Sequence, residues 1–352
     1  MSSDFLGDKL TVANKIKKNA VVVLGMHRSG TSAIAGLLSR MGVDFGKDEK
    51  LFEAQQDVNA RGFYEQREIV TLNQRLLNEI GSNWNDFRPI ESTKFQSAGS
   101  RKIIEDIKGV LQHEFVGKPL WGLKDPRICR LLPVWLEILS ELNINPSFVF
   151  IFRNPWEVAS SLQKRDGILL QKGLVLWLSY VFDAEKYSRS QSRYFVDYQH
   201  MLSDWQSVVT NIIQKLSLPI IEKNINRDEI NQFLSPDLRH MIHDELIKSD
   251  WATMQYDILN SFSTDQFDEA ELQARSDRMR EMFFQAQGLF DPIIYSPESA
   301  QSENVLLQEK LTNLSEEYEH LYAAYKQTRE AYEHSHQGCF KLLKKIKSFF
   351  QR

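Results

Sequence analysis

Two cysteines in 352 residues, Cys129 and Cys339, are too few for a disulfide framework, and such sparse usage suits a reducing compartment. Histidine is scarce as well, at eight residues. Its densest cluster, His240, His243, Asp244 and Glu245, has i,i+3 histidines without further ligands. That reads as a solvated helix face, and no metal is expected. A long apolar run is missing too. The best stretch, 168–182, is interrupted by Gln171 and Lys172 and falls short of the roughly 20 residues that span a bilayer. Residues 1–20 carry Lys9, Lys15, Lys17 and Lys18 among polar neighbours, without the apolar core of a secretory signal. Nor is there a basic surplus: the formal charge is -4, which argues against nucleic acid as a partner. An apolar share of 42% is ample for a core. The expectation is a soluble, cytoplasmic protein with one large domain, or a domain and an appendage.

Short apolar segments at 20–24, 120–123, 147–152 and 193–196 read as strands. Helical periodicity fills 33–41, 65–79, 100–115, 131–142, 155–162, 174–188 and 201–216. This alternation predicts an α/β, P-loop-like three-layer fold with a central parallel sheet, followed by a C-terminal helical and coiled-coil extension. In such sheets ligands bind beyond the carboxyl ends of the strands. Chemistry should therefore follow Leu24, Leu123 and Phe152.

The composition changes near residue 260. The expected organisation is a tail at 1–17, an α/β domain at 18–260 and a helical extension at 261–300 with a helix at 270–287. A 3-4 spacing from Leu307 through Leu311, Leu314, Tyr318, Leu321 and Tyr325 places a coiled coil at 301–338. It would serve a homodimer; the alternative is one amphipathic helix lying back on the domain. Residues 339–352 alternate lysines with Phe340, Leu342, Leu343, Ile346, Phe349 and Phe350 and contain no acid. Such a segment is either a peripheral contact to an anionic membrane face or a solvated tail.

The first strand ends in Gly25-Met26-His27-Arg28-Ser29-Gly30-Thr31-Ser32 and leads into a helix. A glycine turn at a helix N-terminus gathers unpaired N–H groups and the positive end of the helix dipole, which suits an anion. Gly25 and Gly30 have Walker A spacing, yet Thr31 stands where that motif needs lysine. One guanidinium and three hydroxyls crowd this turn, more than capping requires. A second signal is Arg153-Asn154-Pro155-Trp156-Glu157 with Ser161 beyond it, an arginine at a strand end and a hydroxyl on the following helix. Together they could grip one phosphate from two sides.

These segments resemble the two cofactor loops of sulfotransferases that use 3′-phosphoadenosine 5′-phosphosulfate (PAPS). That family carries P-[KR]-S-G-T-[ST] for the 5′-phosphosulfate and R-[ND]-P-x-[ED]-x-x-x-S for the 3′-phosphate. Here the first reads His27 to Ser32, with His27 in place of the proline, as in the bacterial branch, and the second reads Arg153 to Ser161. Lys124-Asp125-Pro126 is similar to a segment of the tyrosylprotein and carbohydrate sulfotransferases. The resemblance spans about 18–230. It implies PAPS as donor, no metal, and donor contacts from Met26, His27, Arg28, Ser29, Gly30, Thr31, Ser32, Arg153 and Ser161.

Arg28 and Lys124 would stabilise charge on the sulfuryl group and the leaving phosphate. The resemblance implies a glutamate base in the segment after the first loop, which Glu65 matches by order, with His27, Asp57 and Glu68 as alternatives. Tyr198 matches a loose Tyr-x-x-Leu pattern and should pack near the donor. Trp177 and Tyr180 read as core or as acceptor cleft. The acceptor expected is a saccharide or glycolipid precursor at the inner membrane face. Two other classes compete: a P-loop kinase, against which the missing lysine counts, and a non-catalytic coiled-coil scaffold. If the basic tail is the anchor, a chain lacking 340–352 will lose co-sedimentation with anionic vesicles that the full chain retains.

Overall fold

The computed structural model describes residues 18–53, 62–115, 117–234, 251–263 and 268–286, together with Lys326. Four strands, β1 (Lys18–Leu24), β2 (Leu120–Lys124), β3 (Ile144–Phe152) and β4 (Ser192–Asp197), form one parallel sheet in the order β2-β1-β3-β4. All four lie where the apolar runs place them. Because every pairing is parallel, Leu24, Lys124 and Phe152 finish at the same edge of the sheet. The order turns back at β1, with β2 on one side and β3 on the other, and such a reversal opens a crevice beyond the strand ends.

Alternation along the strands sends side chains to two cores. Ala20, Val22, Leu24, Phe148, Phe150 and Phe152 face one cluster, while Val21, Val23, Val149 and Ile151 face the other. The second face is covered by α1 (Thr31–Arg40) and by three short later helices, α7 (Tyr198–Ser203), α8 (Trp205–Lys215) and α9 (Arg227–Phe233). The first face carries α2 (Arg67–Glu79), α3 (Ala98–Phe115), α4 (Ile128–Glu141), α5 (Pro155–Asp166) and α6 (Leu170–Tyr187). The fold is thus α/β in three layers. The open edge of β2 is closed by Asp44, whose carbonyl accepts from Gly122 N–H at 2.9 Å. Gly122 has no Cβ because Phe45 occupies that space, at 2.7 Å from where one would stand.

Two boundaries differ from the periodicity. The stretch 201–216 is two helices, since Asp204 leaves the helical region and its carboxylate caps α8 by accepting from Ser207 N–H at 3.2 Å. The helix drawn from residue 65 begins at Arg67, with the Gln66 side chain capping it through Ile69 N–H at 2.7 Å. Glu65 therefore precedes the helix instead of complementing its dipole.

Beyond residue 250 the described helices are α10 (Trp251–Ser263) and α11 (Glu269–Gln285). Residue 260 falls inside α10, and Leu259, Leu272 and Phe283 join the core of the first face. Charge pins α11 to α6 and β4: Arg189 meets Asp277 at 2.7 Å, Arg193 meets Glu269 at 2.8 Å and Arg280 meets Asp183 at 3.2 Å. Asp183 also pairs with the buried Arg130 of α4. The proposed coiled coil at 301–338, apart from Lys326, the tail at 339–352 and the His240–His243 cluster lie outside the described residues. No single described helix is long and apolar enough to cross a membrane. Removing Asp183 strands two guanidinium groups, so Asp183→Ala should lower stability by about 3–5 kcal/mol, read from the denaturant midpoint.

Candidate anion-binding site

The loop after β1 is held open by backbone geometry that few residues tolerate. Gly25 sits at φ 152° with Ile151 O only 2.4 Å from where a Cβ would stand, so the loop presses directly on β3. Its N–H donates to Cys129 Sγ at 3.2 Å. Burial pushes that thiol up to about 12, so it remains an uncharged acceptor. Gly30, at φ 90°, is the N-cap of α1 and rests on the Tyr198 ring, 2.2 Å from a would-be Cβ. No side chain caps this helix end, an arrangement in which first-turn N–H groups can meet an anion.

Arg28 adopts the left-handed region, φ 69°, without being glycine, a conformation that costs about 1–3 kcal/mol and needs support. Support comes from the second segment. Arg28 Nε donates to Ser161 Oγ at 2.8 Å, and Arg153 Nη1 reaches Arg28 O at 3.5 Å. Arg153 leaves the end of β3, pairs with Glu157 at 2.6 Å and stacks its guanidinium over Tyr198 at 4.8 Å. Pro155 opens α5, and Asn154 caps it through Trp156 N–H at 2.9 Å. The two segments, separated by more than a hundred residues, are thus in direct contact.

Lys124, at the end of β2, reaches the same place. Its Nζ donates to Ser32 Oγ at 3.1 Å and forms an ion pair with Glu65. Glu65 is turned inward by Tyr64, which also adopts a left-handed φ of 56°. Its carbonyl is fixed by Phe52 N–H at 3.0 Å. Asp125 is buried and accepts from Arg127 Nη1 at 2.9 Å and from Asn73 Nδ2 at 2.9 Å. Met26, Ser29 and Thr31 are buried in the loop. Ser29 Oγ and His27 Nε2 are buried polar atoms without a partner among the described residues. Of the other base candidates, Glu68 is exposed on α2 and Asp57 lies outside the described residues. Trp177 and Tyr180 are both fully buried on α6.

His27 lies 5.1 Å from Trp84 and 5.9 Å from Tyr180, edge to face. Burial, and then the charges of Arg127, Arg165, Lys124 and Arg28, hold its pKa well below the usual 6.5. Burial, Arg165 and Arg153 likewise lower that of Arg28. Two of the cations that act on His27, Arg127 and Arg165, were not singled out by motif spacing. Arg127 was visible beside Lys124-Asp125-Pro126 as a cation two residues past a buried carboxylate. Arg165 is one helical turn beyond Ser161, and a helix drawn only to 162 hid it. Trp84, under Arg165 at 5.7 Å, carries no local signal. Among the described residues no group of three or more His, Cys, Asp or Glu could hold a metal.

No protein-family model matches the chain, and no curated protein matches it. Among solved structures it is similar to the sulfotransferase domain from the Synechococcus PCC 7002 olefin synthase. That match has 16% identity, a TM-score of 0.41 and coverage of 72% of this chain and 96% of that one. It is also similar to the sulfotransferase domain from the curacin biosynthetic pathway, with 16% identity, a TM-score of 0.36 and coverage of 83% and 96%. At these values the likeness carries no residue role across.

Two outcomes test the site. Gly30→Ala must drive a methyl group into Tyr198 at a φ that disfavours any side chain, so it should lose at least tenfold in anion affinity by calorimetry. His27 protonates more readily in the unfolded chain than in the fold. Its neutral state therefore supports stability fully above pH 6.5, and that support is lost as pH falls toward the lowered folded value. His27→Gln should flatten this acid-side decline in urea midpoints.

Proposed function

We propose that the protein is a sulfotransferase that moves a sulfuryl group from PAPS to an acceptor hydroxyl. The observation that carries this reading is the 2.8 Å hydrogen bond from Arg28 to Ser161. It joins the two segments that resemble the family's 5′ and 3′ donor loops. The residues fit such a donor. An uncapped helix start with the unpartnered Ser29 hydroxyl suits the 5′ end, and Arg153 with Ser161 suits the 3′-phosphate.

PAPS, when bound, supplies the activated sulfur–oxygen bond. Met26, His27, Ser29, Gly30, Thr31 and Ser32 line the loop that receives its 5′ end. Arg28 and Lys124 neutralise charge that grows on the leaving phosphate oxygen as the sulfur–oxygen bond breaks; removing such a group costs about 10²–10³ in rate. Glu65 takes the acceptor's proton as the new sulfur–oxygen bond forms. A proton on His27 would instead add a positive charge beside Arg127, Arg165, Lys124 and Arg28, so Glu65 is the better placed base. No step requires a metal, because guanidinium, ammonium and N–H groups provide the positive field.

The acceptor in this proposal is a saccharide or glycolipid precursor. The partly exposed rings of His27 and Trp84 beside the loop support it, as does the lysine-rich segment at 339–352. The same segment supports a cytoplasmic protein peripheral to the inner membrane face, and the 3-4 spacing at 301–338 supports a homodimer.

Calorimetry with adenosine 3′,5′-bisphosphate, ADP and ATP decides between this and a P-loop kinase. The bisphosphate should bind tightest, and Arg153→Ala should weaken it by about 10–100-fold, the worth of one or two charged hydrogen bonds. Preference for ATP, or indifference to Arg153→Ala, sinks the sulfotransferase proposal.

A further inference from the structure

We infer that Lys124 occupies Glu65 until the donor is in place, so that donor must bind before the acceptor's proton can be taken. This rests on the donor-pocket reading above. Lys124 is 5% exposed at the end of β2, and its ammonium has two partners there. One is the hydroxyl of Ser32 at 3.1 Å, on the first turn of α1, where the 5′ end of the donor would sit. The other is Glu65 Oε1. The two side chains of that ion pair are only 3% and 12% exposed, so water screens it weakly.

A carboxylate oxygen engaged by an ammonium is not available to a hydroxyl. An anionic group delivered to the Ser32 turn competes for the same ammonium, which is short of room but not of reach. As Lys124 turns toward the donor, Oε1 of Glu65 is released on the side from which the acceptor approaches. The proton would then pass from the acceptor hydroxyl to Glu65 as the acceptor oxygen bonds to sulfur, while the bond from sulfur to the donor's 5′-phosphate oxygen breaks and the bisphosphate leaves with that electron pair; Lys124 neither gives up nor takes a proton. Lys124 is thereby a positioning residue for the base as well as a clamp for the donor. The tether is symmetrical: Glu65 must also hold Lys124 back from the donor, and this makes the inference measurable without knowing the acceptor.

The probes are adenosine 3′,5′-bisphosphate and adenosine 3′-monophosphate, titrated calorimetrically into the full chain. Glu65→Gln removes the competing charge and should tighten the bisphosphate by about 3–10-fold, a small fraction of a close ion pair. The monophosphate, which has nothing at the Lys124 end, should bind as before. In a Lys124→Met background the same Glu65 substitution should change neither affinity. Glu65→Asp, whose shorter arm slackens the pair while keeping its charge for folding, should shift the bisphosphate in the same direction by less. Thermal unfolding of each variant reports whether it is folded. Unchanged or weaker bisphosphate binding in folded Glu65→Gln and Glu65→Asp overturns the inference, as does tightening that survives in Lys124→Met. Failure of the unaltered protein to bind the bisphosphate is a different result: it removes the donor pocket, and the inference with it.

Discussion

Arg28, Lys124, Arg127 and Arg165 all act on His27, and Arg153 acts on Arg28. Their mutual repulsion around one helix N-terminus is the constraint under which the rest of the site is arranged. Charges held close together out of water are tolerable only when each is paired or hydrogen-bonded. The fold supplies a partner for each from a nearby element: Glu65 for Lys124, Asp125 for Arg127, Glu157 for Arg153, Asp166 for Arg165 and Ser161 for Arg28. Asp125 and Glu157 are themselves buried and lie close to their cations in sequence, two residues before Arg127 and four after Arg153. Those two cations are paired locally, whereas Lys124 and Arg28 find their partners only where segments distant in sequence meet.

The parallel ladder is what makes them meet. Leu24 pairs with Phe150 and Val23 with both Lys124 and Val149, so the ends of β1, β2 and β3 lie within three residues of one another in height. On that edge the backbone gives up ordinary geometry where the site requires it. Arg28 and Tyr64 take left-handed conformations, and each precedes or carries a functional side chain. The cost is borne by specific contacts, Ser161 and Arg153 for Arg28, and Arg40 at 3.1 Å for the Tyr64 hydroxyl. Cys129 adds a quieter restraint by accepting the Gly25 N–H from the start of α4. The same helix follows directly from the Lys124-Asp125-Pro126 turn, so the loop after β1 and the lysine after β2 share one support.

Much of this was legible because it is local. Strand segments were readable from β-branched runs buried on both faces, and the Gly25–Ser32 and Arg153–Ser161 segments from their spacing alone. The meeting of Arg28 with Ser161 follows once the sheet is parallel. Less legible were contacts set by tertiary packing. Nothing near Trp84 announces that it will pack against His27, because that contact depends on Tyr180, whose hydroxyl donates to Trp84 O at 2.6 Å across the fold. The break at Asp204 was hidden because apolar periodicity continues on both sides of it, and only the capping geometry interrupts the helix. Likewise Glu65 looked like the first acid of a helix, and a left-handed Tyr64 with a Gln66 cap turned it toward Lys124 instead. Composition drew a boundary near 260, whereas the ion pairs of α11 with α6 and β4 join that polar region to the core.

The absent Walker lysine takes its meaning from these pairings. A lysine at position 31 would place a flexible ammonium on α1 itself, beside the Gly30–Tyr198 contact and already facing Lys124 through Ser32. Thr31 is buried at 4% exposure, so the position has become part of the packing beneath the loop. Charge is delivered instead from the rim, by a guanidinium within the loop and an ammonium from the neighbouring strand. Cations that already have partners attract a ligand only by the difference between old and new contacts, so tight binding demands an anion that satisfies several at once. A single phosphate at the helix start would exchange one or two partners for little gain. A ligand with anionic groups at both ends can engage Lys124 and Arg28 at one and Arg153 at the other, and recover the cost of displacing each internal partner. In the proposed function, selectivity for a doubly anionic nucleotide would arise from the same self-pairing that gives each of these cations a partner within the fold.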